Sequence, residues 1–470
     1  MRLRDLILLM VMGTAIACRH LVDGLWYDEA YTLEFFASSP RKALTDFHLP
    51  NNQPLFSFVL SLWQMAFGNS VILLRLLPFF CWLATLALTT RAAFRIGGVR
   101  CGFLAGLLLC STHALVNYSC QLRGYIMATA FLAWALDSAV AYRQAPHRYH
   151  GALFLLAQWM GAAVLPTQAI FAAPLVLVAL DKPWRHPFRL VLGAAAPVMG
   201  LGIYALNPKQ FLQVAQTLDV NMTRMALLID SKDAYLSLWG CGGGLLVSLL
   251  AMGWSKRKGG SPSRILWPLF FAMALPLGLA MVMPHTPYAR NFLPLLPLLA
   301  VFIATPLASW LTGRLPVAIM ILMAGASLWN EMRGGGYFER HKLGDKPENL
   351  LDLYHHHQFK PYDIAALALQ ESQDQCVILI DDSDLWALNY AFRFQLGVPS
   401  HAAVVYYRKL EQYPHLLEQV RMAGQILVIS RHEEGANIMA RMCVGFGELP
   451  PRIMLLHDTG YFKLWELVRS

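Results

Sequence analysis

Between residues 6 and 331 the chain is a succession of apolar runs separated by short polar loops: 6–18, 70–90, 101–116, 122–141, 150–165, 168–181, 189–206, 236–254, 265–283, 291–311 and 315–331. A helix needs about 20 apolar residues to cross about 30 Å of hydrocarbon. Inside hydrocarbon every backbone N–H and C=O must bond within the protein, which leaves helices or closed barrels. Runs of this length and number impose an α-helical polytopic membrane fold of about eleven spans. Composition agrees: 56% of residues are hydrophobic and 14% charged, against about 25% charged in soluble domains. The formal net charge of +9 lies largely in the short loops, so membrane orientation accounts for it and nucleic acid is not needed.

One apolar stretch, Leu55–Phe67, is too short to cross, and is read as interfacial or partly re-entrant. Every later orientation depends on that choice. With 55–67 not crossing, fifteen Lys and Arg fall in inner loops and eight in outer loops. Positive residues favour the cytoplasmic side, so the N-terminus is expected inside and the C-terminus outside. Met1–Cys18 has the outline of a signal peptide, with cleavage after Ala17, but reads better as a retained first span. The eight cysteines show no metal or redox pair spacing. No Walker, Rossmann or zinc-protease motif is present.

After Trp329 the composition changes. Arg333-Gly334-Gly335-Gly336 reads as a linker, dividing the chain into a membrane domain, 1–335, and a soluble domain, 336–470. In the latter, Cys376–Ile380 and Gln425–Ser430 are expected strands, each followed by a helical stretch (385–395, 433–442). Arg452–Leu456 and Tyr461–Leu467 are expected closing strands. Strands alternating with helices predict a small α/β domain, placed outside the cytoplasm by the charge tally. The run His355-His356-His357 reads as solvated linker, and Asp381-Asp382-Ser383-Asp384 as the end of a strand capping a helix.

Residues able to carry chemistry gather on the outer side. Just past the first span, Asp28 and Glu29 are flanked by Trp26, Tyr27 and Tyr31, aromatics that favour the membrane interface. Acids at that depth are expensive unless used. One could act as a general base on a hydroxyl or hold a metal; the alternative is an acid pair near the positive end of the helix that follows, read as Tyr31–Ser38. Arg123, in Gln121-Leu122-Arg123-Gly124-Tyr125, and Arg290, beside Tyr288, are outer cations that break the charge bias, and Arg75 is a third. Phosphate would explain them; so would snorkelling to ordinary lipid. The external loop Asn207–Tyr235 has the length and polarity of a lid. The sequons at Asn117 and Asn221 read as chance.

The acid pair, the Asn52-Gln53-Pro54-Leu55 turn before a short interfacial helix, the outer Arg123-Gly124-Tyr125, and Arg290 shortly before Leu293-Pro294-Leu295-Leu296-Pro297 occur in that order. Together they resemble GT-C-type glycosyltransferases that use polyprenyl-phosphate sugars, closest to the group containing protein O-mannosyltransferases and aminoarabinose transferases acting on lipid A. The resemblance covers roughly residues 1–330. It implies Asp28 as catalytic base and Arg123 or Arg290 on the donor phosphate; Glu29 then orients Asp28 or shares a metal, and Arg75 is a further phosphate candidate. Trp26, Tyr27, Tyr31, Asn52, Gln53, Gln121, Tyr125 and Tyr288 would line the substrate. It further implies a polyprenyl-phosphate-linked sugar, an extracytoplasmic acceptor, surrounding membrane lipid, and a bacterial inner-membrane location with the site on the periplasmic side. The family often has His or an acid where Asn52 and Gln53 stand, and Glu-Ala-Arg where Gln121-Leu122-Arg123 stands. Both departures remove metal ligands, so a divalent ion is left open. A polyprenyl-lipid transporter or flippase would also need outer arginines and interfacial acids, and a non-catalytic membrane scaffold whose outer domain binds a partner is a third reading. Transporters, however, place charge near the midplane and often repeat their halves, and no internal repeat is found.

Overall fold

A computed structural model describes residues 3–22, 25, 27–47, 52–181, 183–217, 263–282, 289–310, 361–380, 388, 391–396, 398–400, 402–406, 418, 420, 422–431, 452–458 and 462–468. The spans expected at 236–254 and 315–331, the linker at 333–336, His355–His357, Asp381–Asp384 and the helical stretch 433–442 lie outside these residues. The chain forms two compact units. The first comprises Met1–Leu21, Phe36–Ala66 and Ile72–His355; the second comprises Val22–Phe35, Phe67–Val71 and His356–Ser470.

In the first unit the described elements are helices. Val71–Cys110, Tyr125–Gln144 and Pro187–Leu206 are long and apolar enough to cross a membrane, which makes this an integral membrane protein. They cover four of the eleven expected spans, 70–90, 101–116, 122–141 and 189–206, since Val71–Cys110 spans the first two. Pro54–Phe67, Gln168–Ala179, Ile265–Leu275 and Phe292–Ala308 are shorter apolar helical stretches. Tyr125–Gln144 is the most enclosed, with 78% of its apolar window buried against 28% for Pro187–Leu206. It packs against Arg148–Val164, Val176–Ala179 and Leu296–Trp310.

The expected inner loop at 91–100 is a correction. Helix continues through it, and the break shrinks to Gly97 and Gly98. Gly98 has φ +77°, a left-handed conformation open chiefly to glycine. The two limbs fold back on each other: a Cβ on Gly102 would lie 2.9 Å from the Thr90 carbonyl oxygen, which a straight helix would hold about 18 Å away. Such small residues let helix backbones approach closely, as favoured in membranes.

Polar side chains inside this unit serve as cross-braces. Trp82 Nε1 donates to the Gly13 carbonyl at 3.2 Å, tying the hairpin to the first helix, Leu3–Ala17. Gln158 Nε2 donates to the Ala172 carbonyl at 3.0 Å and Gln168 Nε2 to that of Ala128 at 3.2 Å. The strongest brace is Asp137. Its side chain is 3% exposed; Arg91 Nη2 donates to Oδ2 at 2.6 Å, and Arg95 Nε lies 3.3 Å from Oδ1 as an ion pair. A buried carboxylate is tolerated because two guanidinium groups meet it.

In the second unit five strands form one sheet: β1 Cys376–Ile380, β2 Ala402–Tyr406, β3 Gln425–Arg431, β4 Arg452–Asp458 and β5 Phe462–Val468, in the order β2-β1-β3-β5-β4. β1 pairs in parallel with β2 and β3, and β5 antiparallel with β3 and β4. The four expected strands are present; β2 is additional, as is a helix at Pro361–Glu371. All five β1 residues are buried, the mark of a strand covered on both faces. Val377, Leu379, Ile426, Val428, Trp465 and Leu467 alternate onto one face and form a single core, with the register setting Val377 against Ile426 and Val428 against Trp465.

Two outcomes are expected. Asp137→Ala leaves two cations without their acid; because Arg91 is half exposed and can turn to solvent, the loss is about 1–3 kcal/mol, read as a lower Tm of the purified full chain. In the second unit, burial pushes the Cys376 thiol up to about 11, so at pH 8 it is a neutral thiol that should resist iodoacetamide until the chain unfolds, as followed by peptide mapping. Because the folded value lies above the unfolded one, this thiol's contribution is full below about pH 9 and is lost as pH rises through about 11.

Candidate functional site

The acid pair lies within a helix rather than before it. Tyr27–Tyr31 is α-helical with Asp28 and Glu29 in its first turn, and Thr32–Phe36 continues as a π-helical turn. The helix therefore starts four residues earlier than expected. The first turn of a helix is its electropositive end, which favours the acids there. Glu29 is buried, at 1% exposure, and Asp28 is half buried, so of the two Asp28 is the more accessible. Thr32 Oγ1 donates to the Asp28 carbonyl at 2.8 Å. Tyr31 is buried and stacks on Phe35 at 4.5 Å between centroids. Trp26 and the Tyr27 side chain lie outside the described residues.

In the first unit a second group of expected residues converges. Residues 119–124 form the turn between the helices His113–Tyr118 and Tyr125–Gln144. Arg123 is buried, at 2% exposure, with its guanidinium 5.7 Å from the Tyr125 ring centroid, within cation–π range. Tyr118 meets Tyr125 edge-on at 5.4 Å. The Gly124 N–H donates to Gln53 Oε1. A Cβ on Gly124 would come within 2.9 Å of Phe56 Cβ, so glycine permits this approach. Gln53 Nε2 is buried and has no hydrogen-bond partner among the described residues. Gln53, Arg123 and Tyr125 thus share one corner, with Gln121, half buried, on the same turn.

Asn52 is engaged on the fold itself. Its Nδ2 donates to the carbonyls of Ala43 at 2.9 Å and Asp46 at 2.7 Å, and Ser57 Oγ donates to its Oδ1 at 2.9 Å. It thereby holds the end of the helix Pro40–Thr45 against the start of Pro54–Phe67. Arg75, also buried, donates to the carbonyls of His20 at 3.2 Å and Leu21 at 3.4 Å, closing the 3₁₀ turn Cys18–Leu21 that follows the first helix. Arg290 lies in the 3₁₀ segment Ala289–Leu295; its side chain and Tyr288 lie outside the described residues. Among the described residues no three His, Cys, Asp or Glu side chains form a metal-holding group.

The expected lid, 207–235, opens as an ordered helix, Pro208–Thr217; the rest is outside the described residues. Asn207 Oδ1 accepts from Gln210 N at 3.4 Å, and Pro208 stands at the first helical position, so the start is locally specified. Asn207 Nδ2 also donates to the Thr45 carbonyl at 2.9 Å, and Gln210 Oε1 accepts from Phe47 N at 2.8 Å. These contacts extend the Asn52 clamp. The sequence reading missed both them and Asp137, whose signal was a lone acid inside an apolar span.

Asn52→Asp keeps the shape but turns a double donor into an acceptor facing two carbonyl oxygens. It should cost about 2–4 kcal/mol and lower the Tm of the full chain, whereas Asn52→Ser should cost less.

No protein-family model and no curated protein sequence matches this chain. Solved structures do. ArnT from Cupriavidus metallidurans is similar in the apo state, with TM-score 0.61, 11% identity, and 98% of this chain covering 97% of that one. The same protein bound to undecaprenyl phosphate gives TM-score 0.64, 13% identity, and coverage of 99% and 98%. The archaeal oligosaccharyltransferase AglB from Archaeoglobus fulgidus, in complex with an inhibitory peptide and a dolichol-phosphate, gives TM-score 0.50 and 10% identity, with 98% of this chain covering 74% of that one. Both are GT-C glycosyltransferases, and the chain shares their fold along nearly its whole length.

Proposed function

We propose that this protein is an inverting glycosyltransferase that moves a sugar from a polyprenyl-phosphate donor to an extracytoplasmic acceptor. The observation that carries the reading is the corner of Gln53, Arg123 and Tyr125: Arg123 is buried, and its chain neighbour Gly124 bonds Gln53, whose amide N–H is buried without a partner among the described residues. A buried cation and a buried amide donor contributed to one corner suit an oxyanion. The shared fold with ArnT, a protein that binds undecaprenyl phosphate, supports the same ligand class.

The chemistry needs few groups. Polyprenyl phosphate is a leaving group that already carries charge. Asp28 takes the proton from the acceptor hydroxyl, the oxygen attacks the anomeric carbon, and the bond to phosphate breaks on the opposite face. A single displacement inverts the stereochemistry. Arg123 and Arg290 stabilise the charge that grows on the departing phosphate. Arg75, already serving two carbonyls, takes a lesser share. Asp28 is the base and buried Glu29 its positioning partner because only the more accessible acid can reach a hydroxyl. Tyr31, Asn52, Gln121 and Tyr125, with Trp26, Tyr27 and Tyr288, shape the substrate space. Residues 1–335 form the catalytic membrane part and 336–470 a periplasmic domain.

Asp28→Asn keeps size but cannot take a proton, so transfer from a polyprenyl-phosphate sugar should fall about 10²–10⁴-fold with donor binding nearly kept. Wild-type rates in both Asp28→Asn and Glu29→Gln would sink the assignment. Arg123→Ala should weaken donor binding by about 2–5 kcal/mol, measured by titration with undecaprenyl phosphate; unchanged affinity in both Arg123→Ala and Arg290→Ala would remove the arginines from the site.

A further inference from the structure

At the end of Tyr125–Gln144 remote from Arg123, a cavity of about 250 Å3 opens among basic side chains. A 20-residue helix is about 30 Å long, so this cavity is well separated from the corner described above. Tyr142, Arg143, Asp181, Arg185, His186 and Arg189 line it. They come from the end of one long helix, the loop after Val176–Ala179, and the start of Pro187–Gly200.

The cavity is built rather than accidental. Arg143 is 13% exposed and is fixed by the Asp181 carboxylate at 2.5 Å and by the carbonyls of Val178 at 3.3 Å and Leu180 at 3.4 Å. Arg189 Nη1 donates to the Tyr142 hydroxyl at 3.0 Å, which orients the guanidinium and leaves its remaining N–H groups for another acceptor. Arg185 and His186 are exposed. Three arginines face one carboxylate, so the cavity holds an excess of two positive charges before His186 is counted. Beside them Trp184 and Phe188 are 73% and 77% exposed. Large aromatics left in the open next to arginines match the depth of lipid headgroups, where rings enter the interface and guanidinium groups meet phosphate.

We propose that this cavity binds a phosphate-bearing anion, with the headgroup of an anionic phospholipid as its source. Arg185 and Arg189 clasp the phosphate, the fixed Arg143 adds its field from behind, and Trp184 and Phe188 hold the acyl side.

The full chain in detergent is titrated with phosphatidylglycerol or phosphatidylcholine and read by native mass spectrometry; in a second arm, inorganic phosphate is added as competitor. Preferential retention of phosphatidylglycerol, about 25-fold weaker in the double variant Arg185→Gln/Arg189→Gln, supports the proposal, since each such arginine adds roughly fivefold to the attraction for anionic lipid. Trp184→Ala/Phe188→Ala should weaken lipid retention while leaving competition by phosphate. Phosphate binding with the same arginine dependence but no lipid preference keeps the site and assigns it to a soluble phosphate. Equal retention of the two lipids without phosphate binding, or retention unchanged in the arginine variant, overturns it. Both variants alter exposed side chains, and an unchanged Tm confirms that the fold is kept.

Discussion

The cost of leaving a polar group unsatisfied away from water governs this structure. Asp137, enclosed in the most buried long helix, persists because Arg91 and Arg95 reach it from the neighbouring hairpin. One acid therefore fixes the rotation of two helices about their axes. The same economy of partners recurs where Trp82 meets Gly13 and where Gln168 meets Ala128. Each bond is worth only about 1 kcal/mol when made, but leaving either partner buried and unmade costs more. Apolar packing alone is permissive about register, so these few polar contacts carry much of the specificity.

That constraint explains how the corner around Arg123 is held. Gln53 spends its oxygen on Gly124, and Asn52 spends all its bonding on Ala43, Asp46 and Ser57. The pair thus pins the turn at 119–124 and the approach to Pro54–Phe67 at once. A corner pinned in this way is pre-organised, as the proposed stabilisation of a leaving phosphate requires. What stays without a partner among the described residues is the Gln53 amide N–H. The proposed anion site at the other end of Tyr125–Gln144 uses the opposite arrangement: its arginines are exposed and only Arg143 is locked.

The second unit follows different rules. Its sheet is buried on both faces at β1, and the order β2-β1-β3-β5-β4 sets parallel strands beside an antiparallel closing pair. Trp465 Nε1 donates to Ser430 Oγ at 2.9 Å inside this core, and Gln425 links Gln373 N at 2.8 Å to Glu466 at 2.9 Å. Beside these bonds, the apolar area buried in its core, from Val377 to Leu467, contributes to stability.

The sequence by itself determined the material and the outline. Apolar runs of membrane length dictated helices, four apolar stretches near the C-terminus dictated strands, and Arg123, standing where the charge bias forbids it, marked a special cation. These signals are local, because hydrophobic period and length need no knowledge of partners. Only the tertiary structure decided the rest. β2 was five apolar residues that fit helix or strand equally until β1 paired with it. The loop expected at 91–100 shrank to a two-residue break because Gly98 can adopt a positive φ and Gly102 can press against Thr90. Asn52 and Gln53 read as departures from a ligand motif; their hydrogen bonds to Ala43 and Gly124 arise from chain segments 9 and 71 residues away. Polar side chains buried in an apolar setting take whichever partner the fold brings within 3 Å, and a sequence lists the donors without saying whom they will meet.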